Sequence, residues 1–117
     1  MGQLSTHVLD TAHGRPAAGM AVTLQRLDSD GAVTLRRLRL DADGRAGGPL
    51  IDAAEMAVGC YRLLFEVAPY FRAQGVALPE PPFIDTVQVD FGIADAAGHY
   101  HVPLLVSPWS YSTYRGS

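Results

Sequence analysis

Clusters of glycine, aspartate and proline cut this chain into short segments in which apolar and polar residues alternate. The breaks are Thr11 to Pro16, Asp28 to Gly31, Asp41 to Arg45, Pro79 to Pro82 and Asp95 to Gly98. Between them run Leu4–Asp10, Met20–Leu27, Val33–Leu40, Cys60–Val67, Phe83–Phe91 and a segment that starts at His99. Period-two alternation between turn signals at regular spacing is the mark of short strands. Only Ala68 to Gly75 reads as a helix, with Pro69 fitting its first turn and Gly75 the position that ends it. The expected fold is therefore all-β, an antiparallel β-sandwich of about eight strands with one short helix. At 117 residues, a single domain spanning 1–117 is expected.

The alternation also sorts side chains by face. Tyr100, Val102, Leu104 and Val106 form an unbroken apolar face, and His99, His101, Pro103 and Leu105 form the other. Leu4, Thr6 and Val8 likewise oppose Ser5, His7 and Leu9. Imidazoles on the non-core faces of hydrophobic strands need a reason. Pro103 constrains the pairing, because proline cannot donate to a ladder and must face away from a partner or sit at a bulge. His13, in a turn, reads as an exposed loop histidine.

Charge excludes one class of partner. The formal charge is −3, and nucleic-acid binding needs clustered basic residues. The nearest cluster, Arg36-Arg37-Leu38-Arg39, alternates like a solvated strand face. All the basic side chains are arginine, a residue suited to planar recognition of oxygen-rich groups. Cys60 is alone, so no internal disulfide forms. It reads as a small core or interface residue rather than a nucleophile. No apolar run approaches the roughly 18 residues of a membrane helix, and the opening Met-Gly-Gln-Leu-Ser has no signal-peptide pattern. A cytoplasmic location is expected, or a periplasmic one if a leader was removed.

Two places carry partial metal-site patterns. The Asp-x-Asp-Gly of 41–44 matches part of a calcium loop but lacks the distant bidentate Glu and the flanking helices. His99 and His101 have a spacing that many zinc sites use. A serine-hydrolase reading lacks its Gly-x-Ser-x-Gly elbow. No metal and no cofactor is expected.

Four segments resemble one family: Leu4-Ser-Thr-His7-Val-Leu-Asp10, the Asp-Gly-Arg45 turn, His99-Tyr-His101-Val-Pro-Leu-Leu105, and Tyr111-Ser-Thr-Tyr114-Arg-Gly-Ser117. They resemble the 5-hydroxyisourate hydrolases, the transthyretin-related enzymes of urate breakdown, and the likeness covers nearly the whole chain. The final Tyr-Arg-Gly-Ser is specific, because transthyretin proper ends this strand without it. The resemblance implies a transthyretin-like sandwich of two four-stranded sheets and a homotetramer with a central channel. It implies that His7, Arg45, His101 and Tyr114 to Ser117 face that channel and carry the activity. The alternation agrees, since His7, His101, Ser112 and Tyr114 fall opposite the apolar face.

The reaction so implied opens a cyclic acyl–nitrogen bond of 5-hydroxyisourate with water. It needs a base, charge stabilisation for the tetrahedral intermediate and a proton for the leaving nitrogen. His7 and His101 suit proton transfer near neutrality. Arg45 offers a donor fork for carbonyl or anionic oxygens, and Tyr114 and Ser117 offer hydroxyls. His7, Arg45, His101 and Ser117 are thus the candidate catalytic set, with His7, Arg45 and Tyr114 binding substrate. The alternative is a non-catalytic channel that holds a small hydrophobic ligand, as transthyretin does. Such a channel has no need of His and Arg at these positions.

Overall fold

The computed structural model describes residues 1–116. Its strands are β1 (Gln3–Asp10), β2 (Arg15–Pro16), β3 (Ala21–Asp28), β4 (Gly31–Arg39), β5 (Gly59–Glu66), β6 (Thr86–Ile93), β7 (His99–Val106) and β8 (Tyr111–Thr113), with α1 (Val67–Ala73) after β5. They form two four-stranded sheets, ordered β2-β1-β7-β8 and β4-β3-β5-β6. The expected sandwich is present. One pairing departs from the antiparallel rule: β1 and β7, from opposite ends of the chain, run parallel from Gln3↔His99 to Asp10↔Val106.

The core lies where alternation places it. Leu4 and Val8 of β1, Val22 and Leu24 of β3, Leu63 and Phe65 of β5, and Leu104 and Val106 of β7 are all buried. Each such side chain contributes about 1.5–3 kcal/mol of transfer free energy. In α1, Val67, Ala68, Tyr70 and Phe71 form the buried stripe. The N–H groups of Val67 and Ala68 both donate to the Asp85 carbonyl, which satisfies the start of the helix. Gly75 follows at φ +85°, in the left-handed region that glycine adopts without strain.

Three sequence expectations shift. The register between β3 and β4 slips between Leu24 and Gln25, so that Leu35 is the extra residue of a bulge. As an edge strand β4 is exposed on both sides of the bulge, and Val33 and Leu35 are each 44% exposed. The strand expected from Phe83 begins only at Thr86, and Phe83 is 72% exposed beside Trp109. Cys60 is exposed and not a core residue, because the buried parity of β5 belongs to Tyr61, Leu63 and Phe65. Among the described residues no helix is long and apolar enough to cross a membrane.

Candidate active site

The site is built on the outer face of the β1–β7 pair. Parallel register sets Ser5 beside His101 and His7 beside Pro103, two steps along. Residues of one parity in adjacent paired strands share a face, so His7 lies diagonally across from His101. Ser5 Oγ and His101 Nδ1 are 2.8 Å apart, within hydrogen-bond distance.

Arg45 arrives on a fastened turn. Asp41 Oδ1 accepts from the N–H groups of Asp43 and Arg45, and the Asp41 N–H donates to the Arg45 carbonyl at 2.8 Å. Gly44 lies against β1, its carbonyl taking the Val8 N–H at 2.9 Å. A Cβ on Gly44 would come within 2.5 Å of the Val8 carbonyl oxygen, and φ there is +72°. The turn thus seats only with glycine, and it bridges Arg45 to His7. Among the described residues no hydrogen bond or ion pair engages the Arg45 guanidinium.

The C-terminal segment closes the other side. β8 pairs antiparallel with Leu104 to Val106. Beyond it, Gly116 donates to the His101 carbonyl at 2.7 Å in continuation of the same register. Pro103 explains the gap, since it has no N–H to offer. Instead the Thr113 hydroxyl donates to the Pro103 carbonyl at 2.7 Å. Arg115 lies 4.2 Å over the Tyr100 ring and donates to the His99 carbonyl. Gly116 packs so closely that a Cβ there would lie 2.6 Å from His101 Cδ2.

An open pocket of about 310 Å³ results, lined by Gln3, Ser5, Arg45, His99, Tyr100 and His101. A larger concavity of about 510 Å³ lies by Tyr61, with Arg26, Arg36, Asp52 and Glu55 in its walls. It holds no histidine, so chemistry favours the smaller one. The His101 pKa is lowered, first by burial and then by the charge of Arg45 and the neighbouring His7, against a smaller upward pull from the Ser5 backbone. The ring is therefore neutral at physiological pH.

Of the sequence candidates, His7, Arg45 and His101 come together. Tyr114, 60% exposed, instead lines a separate concavity with Tyr100, Arg115 and Phe91. Ser117 lies outside the described residues. Ser5 was not singled out, although it shares the parity of His7; its register with His101 was the missing signal. His13 is no free loop histidine. Its backbone N–H and Nδ1 bond to Asp10 at 2.9 and 2.6 Å. Among the described residues no three His, Cys, Asp or Glu side chains converge on a metal position.

Residues 4–116 match the model of the HIUase/Transthyretin family. This chain belongs to that family. It is 54% identical to 5-hydroxyisourate hydrolase 2 of Rhizobium meliloti, over 99% of this chain and 97% of that protein. It is 52% identical to the 5-hydroxyisourate hydrolase of Ralstonia nicotianae, over the whole of both. The structure of Klebsiella pneumoniae 5-hydroxyisourate hydrolase matches with a TM-score of 0.80 at 37% identity, over 98% of this chain and 99% of that one. A structure of (S)-allantoin synthase matches with a TM-score of 0.93 at 45% identity, over 99% of this chain and 44% of that longer one. Sea bream transthyretin, solved in complex with thyroxine, matches with a TM-score of 0.85 at 31% identity, over 97% of this chain and 94% of that one.

Proposed function

We propose that this chain is a 5-hydroxyisourate hydrolase acting as a single transthyretin-like domain in urate degradation. It opens the ring hydrolytically to 2-oxo-4-hydroxy-4-carboxy-5-ureidoimidazoline. The observation that carries this reading is the meeting of His7, Arg45 and His101 on one outer face, with a guanidinium that has no partner among the described residues and an imidazole whose pKa is lowered. The Arg45 fork binds the substrate's carbonyl or anionic oxygens and stabilises the oxyanion that forms when water adds to the acyl carbon. The two histidines take the proton from water and return one to the leaving ring nitrogen as the C–N bond breaks. The resemblance adds the hydroxyls of Tyr114 and Ser117 as groups for the substrate, although in a single copy of the chain Tyr114 lines a separate concavity.

The assembly proposed is a homotetramer whose central channel is lined by these faces. Half-buried Leu9 and Leu105 flank the histidines, and Phe83, Trp109 and Tyr111 are exposed. Apolar surface of this kind is what subunit interfaces cover. The protein acts in the cytoplasm, without nucleic-acid or membrane partners.

The test is direct. Urate is oxidised by urate oxidase, and decay of the unstable product is followed by ultraviolet absorbance with and without the protein. Acceleration over spontaneous decay is expected. Its absence would leave the ligand-carrier reading that the transthyretin likeness offers.

A further inference from the structure

The His101 ring is held along two edges. Ser5 Oγ stands 2.8 Å from Nδ1 on one side. Gly116 presses on Cδ2 from the other, with no room there even for a methyl group. Among the described residues no hydrogen bond engages Nε2, and the ring lines the pocket that also holds Arg45. Which nitrogen of a neutral imidazole carries the proton is set by the hydrogen bond the other makes. Here the bonded nitrogen is Nδ1, and its partner is a side chain 96 positions away in sequence that reaches it only through the parallel register of β1 and β7.

We propose that Ser5 is a positioning residue: its hydroxyl oxygen accepts the proton-bearing Nδ1 of His101 and leaves Nε2 unprotonated toward the pocket, as the base for water. The proposal rests on the hydrolase reading for its catalytic consequence, and it assigns the role of base to His101 rather than His7. The Ser5 backbone also favours a proton on this imidazole, while Arg45 and His7 disfavour a second one. The ring is thus kept neutral in one tautomer. Without the Ser5 oxygen the tautomer follows the intrinsic preference of imidazole for Nε2–H, which is the wrong nitrogen for a base facing the pocket.

The experiment compares Ser5→Thr, which keeps the hydroxyl, with Ser5→Val, which has the same shape without it. Both β-branched residues suit a strand. Protein labelled with ¹⁵N-histidine is examined by long-range ¹H–¹⁵N correlation at a pH where His101 is neutral, with assignment by comparison with His101→Gln. The wild type and Ser5→Thr are expected to show Nδ1–H at His101, and Ser5→Val a shift toward Nε2–H. In the hydroxyisourate assay, kcat of Ser5→Val should fall by on the order of 10- to 100-fold, as for loss of an outer partner of a working imidazole. KM should hold, and Ser5→Thr should restore the rate. An Nε2–H signal in the wild type would overturn the proposal. So would an unchanged tautomer and kcat in Ser5→Val, or equal loss in Thr and Val. If the wild type shows no hydrolase activity, the reading of function fails, while the tautomer spectra still decide what Ser5 does.

Discussion

β1 carries two histidine clusters, one near each end, and they are built on opposite principles. At its C-terminal end the Asp10 carboxylate, 0% exposed, accepts from the His13 backbone, His13 Nδ1 and the Tyr70 hydroxyl. Negative charge meets donors from a turn and from α1, and nothing is left over. Nearer its start, Ser5 and His7 meet His101 and Arg45. There basic groups face one another, the neighbouring guanidinium has no partner among the described residues, and the His101 imidazole is pushed toward its neutral form. The first cluster satisfies its buried carboxylate and fastens α1 to the first sheet. The second leaves donors and a lone pair unspent, which is what binding and proton transfer require.

The largest effect that would sharpen this contrast is on the second cluster. His101→Ala should lower the hydrolysis rate by roughly 10²–10⁴-fold with an unchanged melting temperature; equal activity would remove its acid–base role. Deleting residues 114–117 should abolish turnover more than it lowers stability, as judged by the same assay beside a melting curve and sedimentation. Dissociation of the proposed tetramer would instead make the segment structural first.

The first cluster should behave in the opposite way. Asp10→Ala leaves the buried Tyr70 hydroxyl without its acceptor and should cost about 1–3 kcal/mol or more in urea unfolding, with a smaller effect on kcat than His101→Ala. Tyr70→Phe removes one hydrogen bond and should cost about 0.5–1.5 kcal/mol by the same measurement.

Both clusters lose stabilisation on the acid side, and only the first, through Tyr70, also loses it on the alkaline side. Burial works to raise the Asp10 pKa, but its bonds to His13 and Tyr70 and the charge of His13 hold it below 3.8. Its stabilisation is present above the unfolded value and is lost as pH falls through the lower folded one. Tyr70 is pushed up to about 12 by burial and by Asp10. Its contribution is intact below pH 10 and is lost as pH rises toward that value. His101 is depressed below 6.5. Its neutral form favours the fold above pH 6.5, and this contribution is lost as pH falls through the folded value. The acid limb of kcat/KM should therefore lie below 6.5, and a limb above 6.5 would contradict the electrostatics described for the second cluster.

Strands, turns, the single helix and the faces of β1 and β7 were legible because each depends on neighbours in sequence. Pairing was not. Nothing local announces that β1 lies parallel to β7, so Ser5 could not be matched to His101. The bulge that strands Leu35 also comes from a partner strand. Asp10 could have been found: it continues the parity of Leu4, Thr6 and Val8, and a carboxylate on a core face must have donors. His7, Arg45 and His101 emerged only because resemblance joined positions that alternation treated separately. Tyr114 shows the limit, since its strand parity did not foretell the concavity it lines.

The missing amide of Pro103 has one more consequence. It leaves a dropped stitch in the sheet between Thr113 and Gly116, so residues 113–116 are knit on by side chains more than by backbone. Such a hem lifts at low cost while the fabric beneath stays whole. The Gly116 amide should exchange with deuterium well before those of β1, letting the cover over His101 raise and settle without disturbing the sheet that carries it.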